Sequence, residues 1–190
     1  MLRPRGGFSL IEMLVVMSIT LMLSAILIGY TREAGRQLLL VSSQAKIVNL
    51  ISRAKSLSVA TFIDEKGLPT DPAAPKICGY GVRVDRDLKQ VFIFRDLAVD
   101  CSDPTSVGYR VFGAGDVKLL STLDVFSVPD AAIQFGDDTT LENVLFIPPD
   151  PTIVVNADPS LQSAKVTLQS KYKILNVLVK IDNAGKISTK

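Results

Sequence analysis

The sequence predicts an α+β protein: a long N-terminal α-helix, membrane-spanning in its first half and amphipathic in its second, packed on a C-terminal, mostly antiparallel β headpiece. Three observations carry that prediction. An apolar run extends from Phe8 to Tyr30 with Glu12 as its single charged side chain. Apolar residues then recur at helical spacing to about Phe62. Beyond Pro75 the chain breaks into short β-type segments separated by turn residues.

As helix, the run from Phe8 to Tyr30 measures roughly 35 Å, enough to cross a ~30 Å hydrocarbon layer once. Arg3 and Arg5 precede it, so the positive-inside rule puts the N-terminus in the cytoplasm and the remainder outside. The run is too long for the apolar core of a secretory signal, and Glu12 interrupts it. An acid inside a membrane segment is costly enough to need a partner or a task. One local answer is that Ser9-Leu-Ile-Glu12 fits a capping box, with the acid in the first turn also favoured by the helix dipole.

Leu40, Ile47, Leu50, Ile51, Ala54 and Leu57 form the apolar stripe of the second half, with Arg36, Gln44, Lys46, Asn49, Arg53 and Lys55 between them. Asp64 to Pro75, rich in Pro, Gly and acids, reads as a linker. The strand candidates are 80–84, 91–94, 109–112, 132–135, 144–147, 153–155, 164–168, 174–181 and 186–188. Pro148-Pro149-Asp150-Pro151 forces a connection. Asn183-Ala-Gly185 marks a closing hairpin, which favours antiparallel pairing.

Charge is uneven beneath a net +2. Eight acids and one Lys lie between Asp116 and Asp158, whereas six Lys face the single acid Asp182 after Ser160. With no His, the chain has no histidine general base, no Ser-His-Asp triad and no H-E-x-x-H zinc site. A P-loop is also absent, and Gly113-Ala-Gly115 reads as a tight turn. Asp137-Asp138 and Asp85-x-Asp87 lack the spacing of a calcium loop and read as turn acids. No enzyme activity, cofactor or metal is expected. Cys78 and Cys101 are read either as a disulfide, in a non-cytoplasmic headpiece, or as free buried thiols.

The string Arg5-Gly-Gly-Phe-Ser-Leu-Ile-Glu-Met-Leu-Val-Val16 resembles the processing site of type IV pilins and type II secretion pseudopilins. That resemblance implies cleavage after Gly7 by a prepilin peptidase, N-methylation of the new terminus at Phe8, and a role in assembly for Glu12, the fifth residue of the mature chain. It divides the sequence into a leader over 1–7, a transmembrane or filament-core helix over 8–30, its amphipathic continuation over 31–62 and the headpiece over 63–190. Many members of the family carry a helix-breaking Pro where this chain has Gly29.

The implied partners are other pilin or pseudopilin subunits, the peptidase, an inner-membrane assembly platform and the membrane itself. The implied location is the bacterial inner membrane, with the headpiece outside the cytoplasm. Leu50–Ala60 and Ile181–Ile187 resemble, more loosely, H-type minor pseudopilins and FimT-like minor pilins. Since FimT-like pilins are associated with DNA uptake, this raises DNA as a partner for Lys165, Lys171, Lys173 and Lys186.

Overall fold

The computed structural model describes residues 9–63, 75–103, 110–129, 132–148, 152–171 and 175–190. Helix α1 runs Leu10–Ile63 and is followed by ten strands: β1 Lys76–Asp85, β2 Gln90–Ala98, β3 Val117–Lys118, β4 Val125–Ser127, β5 Ile133–Phe135, β6 Asn143–Ile147, β7 Thr152–Val155, β8 Ser163–Ser170, β9 Asn176–Asp182 and β10 Ile187–Thr189. The fold is therefore α+β. Residues 1–39 and 40–190 form two compact units.

In the first unit the helix passes through Gly29 and Gly35 without a break. Its apolar side chains are exposed, Leu10, Ile11, Leu14, Leu21 and Ile26 among them. The hydroxyls of this segment turn inward on their own backbone. Ser18 donates to the Val15 carbonyl at 2.8 Å, Thr20 to Met17 at 2.9 Å and Ser24 to Thr20 at 2.7 Å. Each hydroxyl is satisfied locally, so the segment needs no water along its length. This is the helix, among the described residues, that is long and apolar enough to cross a membrane.

In the second unit, the rest of α1 buries Leu40, Ile47, Leu50, Ile51 and Ala54, the stripe expected from helical spacing, together with Ser43 and Ser58. Leu57 is half-buried. Two antiparallel sheets complete the headpiece. The first has the order β3-β2-β1-β6-β7, with β4 also on β2, and the second has the order β10-β9-β8-β5.

Strand register sorts the side chains of the first sheet. Tyr80, Val82, Ile93, Phe126, Val144 and Phe146 share one face by direct pairing, and all are buried. Helix α1 lies on that face: Ser58 donates to the Phe146 carbonyl at 2.8 Å, and the Lys46 ammonium stands 5.4 Å from the centre of the Phe126 ring. Gln44 fastens the same helix to the second sheet through its amide, which donates to Leu178 and Lys190 carbonyls at 2.8 and 3.3 Å. Arg53 pairs with the buried Asp124 at 2.6 Å.

The opposite face of the first sheet is a separate aromatic cluster. Phe92 and Phe94 meet Phe112 edge-on, with ring centres 5.2 and 5.3 Å apart. Lys118 lies 4.2 Å over the Phe92 ring. Gly81 makes room for this cluster, since a Cβ there would stand 2.4 Å from the Phe94 ring.

The structure corrects the strand expected over 109–112. Tyr109 lies outside the described residues, Arg110 and Val111 form a turn and bend with Arg110 at φ 59°, and Phe112 belongs to no strand. Phe112 serves the core as a lid over β2, so its aromatic character reports packing instead of pairing. β3 and β4 have no counterpart among the expected strands: at two and three residues they are too short to show a period. The closing hairpin is present, with Gly185 at φ 76°, where a Cβ would also strike Ile153. Residues 64–74 of the expected linker and 149–151 of the proline-rich connection lie outside the described residues.

Candidate processing and assembly site

Ser9 and Glu12 open helix α1 as a reciprocal capping box. The Ser9 amide donates to Glu12 Oε2 at 3.3 Å, and the Glu12 amide donates to Ser9 Oγ at 3.3 Å and to the Ser9 carbonyl at 3.1 Å. Two of the amide groups that a helix start leaves unpaired are thereby satisfied. The Glu12 side chain is exposed among exposed apolar neighbours. Its carboxylate can accept further hydrogen bonds, because one N–H uses only part of its acceptor capacity. Gly7 and Phe8, the residues at the expected cut, lie outside the described residues.

In the headpiece, Cys78 of β1 is bonded to Cys101, with Cα atoms 5.2 Å apart. The register of β1 on β2 shifts between Ile77 and Gly79, beside the bonded cysteine. Near this crosslink stands a carboxyl pair that sequence reasoning did not single out. Asp96 on β2 is buried. Asp116 accepts from the Leu97 and Gly113 amides at 2.9 and 2.8 Å, tying the segment before β3 to the end of β2. Burial pushes the Asp96 carboxyl up to about 6. The charge of Asp116 and a hydrogen bond to it act the same way, and Arg110 pulls against them. Nineteen positions separate the Leu97 amide from Asp116, and no spacing rule joins them.

Two of the turn acids singled out in the sequence make local contacts. Asp85 accepts from the Leu88 amide at 2.9 Å in the β1–β2 turn. Asp138 binds Lys165 at 2.7 Å, which holds its carboxyl below the usual range. Among the described residues, no group of three His, Cys, Asp or Glu could hold a metal ion. Of the lysines singled out in the sequence, Lys165 lies on β8, Lys171 follows its end and Lys186 precedes β10; Lys173 lies outside the described residues.

Residues 2–28 match the family described as the prokaryotic N-terminal methylation motif. Compared with curated proteins and with solved structures, the chain finds no match in either. The matched segment contains Gly7, Phe8, the capping box and most of the apolar run, and it leads into one exposed apolar helix and an antiparallel β headpiece. Over residues 2–28 the chain is therefore similar to the prepilin-type N-terminal methylation segment, which supports its resemblance to type IV pilins and pseudopilins.

Proposed function

We propose that the chain is a structural subunit of a type IV pilus or a type II secretion pseudopilus, cut after Gly7, methylated at Phe8 and assembled through its N-terminal helix. The observation that carries this reading is the methylation motif over residues 2–28, with Glu12 in the first turn of an apolar helix whose side chains have no cover of their own. In a bilayer or a filament core, a lone carboxylate and a lone ammonium are both unfavourable, and pairing them removes both penalties. The amine of Phe8 on a subunit already added therefore attracts Glu12 of the incoming one, and this contact fixes axial register.

The capping box suits Glu12 to that task. It orients the carboxylate at the helix start while leaving lone pairs for a second partner. Packing of apolar helices against one another then covers the exposed run, and the headpiece is carried outside the membrane as cargo of the filament. The test is Glu12→Ala in cells with an active peptidase and assembly machinery. The expected result is normal removal of the leader with a drop in filament yield of at least about tenfold, the factor given by ~1.4 kcal/mol. Unchanged yield with complete processing would refute the role of Glu12.

A further inference from the structure

The outer face of the second sheet collects the C-terminal lysines. Lys165 on β8 is directly opposite Lys180 on β9, which is opposite Ser188 on β10. Lys190 continues the ladder by exchanging hydrogen bonds with Leu178 at 2.8 and 3.1 Å, and the Lys186 carbonyl accepts from the Asp182 amide. Directly opposed residues point to the same side of a sheet, so Lys165, Lys180, Lys186 and Lys190 share one face. Lys171 follows the end of β8. The remaining positions are neutral: Thr167 opposite Leu178 is buried, and Gln134, Gln169 and Asn176 form one cross-strand row, half-buried at the two Gln, so the exposed lysines lie toward β9 and β10. The other side of the sheet is the core, with Val166, Leu168, Val179 and Ile181 buried.

Two acids belong to this face. Asp138 pairs with Lys165, and one oxygen of Asp182 accepts from the Ala184 and Lys186 amides. Lys171, Lys180, Lys186 and Lys190 are exposed. Lys165 is thus already neutralised within the chain, which leaves Lys180, Lys186 and Lys190 as the charges an anionic partner would meet.

We infer that the outer face of β8, β9 and β10 docks on anionic phospholipid headgroups of the membrane in which the chain's own apolar helix is anchored. Lysine supplies point charge to a phosphate layer without needing a shaped pocket. By sequence, only residues 31–43 separate the apolar run from Gln44, whose amide holds β9 and the C-terminal carbonyl. The tether keeps the local concentration of headgroups high. This inference requires the membrane anchor and is independent of filament assembly.

The experiment uses the full chain in nanodiscs of phosphatidylcholine alone or with roughly one-third phosphatidylglycerol. Amine acylation read by mass spectrometry compares Lys180, Lys186 and Lys190 with Lys76, an exposed lysine on β1 of the first sheet. The expected result is at least about threefold protection of the three lysines in anionic discs alone, reversed near 1 M salt, where screening shortens to ~3 Å. Equal labelling in both discs overturns the inference. So does protection in phosphatidylcholine discs by an added oligonucleotide that exceeds the protection by phosphatidylglycerol, which would assign the face to nucleic acid.

Discussion

Replacing Asp96 by Asn should stabilise the headpiece at neutral pH and remove a pH dependence that the wild type shows in mild acid. The Asp96 carboxyl is 6 % exposed and is pushed from 3.8 up to about 6, chiefly by burial and then by Asp116. The folded state thus holds this proton more tightly than the unfolded chain. The associated stability is complete below about pH 4, falls as pH rises and is lost once pH passes about 6. At ~1.4 kcal/mol per unit of pKa, the swing is about 3 kcal/mol. Asn keeps the shape and a hydrogen-bond donor toward Asp116 but has no charge to desolvate. Denaturant unfolding of the full chain in detergent, followed by circular dichroism between about pH 4 and pH 7, measures the difference. The wild type should lose stability across that window relative to Asp96→Asn, and the variant should be the more stable by roughly 1–3 kcal/mol at pH 7. Parallel curves, or a less stable variant at pH 7, would refute the burial of an ionisable Asp96 beside Asp116.

Two further outcomes follow from the headpiece. Gly81→Ala places a Cβ 2.4 Å from the Phe94 ring and 2.8 Å from the Val144 carbonyl, so it should lower stability by about 1–3 kcal/mol in the same unfolding assay. Changing both Cys78 and Cys101 to Ser opens a loop of 23 residues in sequence separation and should cost about 3 kcal/mol, read as a lower denaturant midpoint under oxidising conditions and no difference under strong reductant.

The sequence made the local grammar visible and hid the long-range assembly. The helix could be read because a 23-residue apolar run and then a 3.6-residue stripe each leave a signal within one window, and the stripe from Leu40 to Ala54 is buried in the headpiece. Strands such as β1, β6 and β8 showed themselves as β-branched and aromatic runs ended by turn residues. Phe112 looked like a strand residue because an aromatic that caps a sheet from outside its strands has the same composition as one within it. Pairing register was also illegible. That Lys165 faces Lys180, or that Asp116 reaches the Leu97 amide, depends on which strands adjoin, and only the folded sheets specify it.

The N-terminal site was the most legible part because its chemistry is contiguous. The expected leader and cut, the capping residues and the apolar run follow one another without interruption, so a linear motif over residues 2–28 spans most of them. Glu12 illustrates how two readings combine: the local capping geometry anticipated for Ser9 and Glu12 is present, and it leaves acceptor capacity on the carboxylate for the role proposed in assembly.

The most direct test of the account is the mass of the mature N-terminus after expression of the full chain with and without a prepilin peptidase. The expected product is a peptidase-dependent chain that begins at N-methylated Phe8, with residues 1–7 removed. A chain that keeps Met1, or one cut at another bond in the presence of active enzyme, would contradict it.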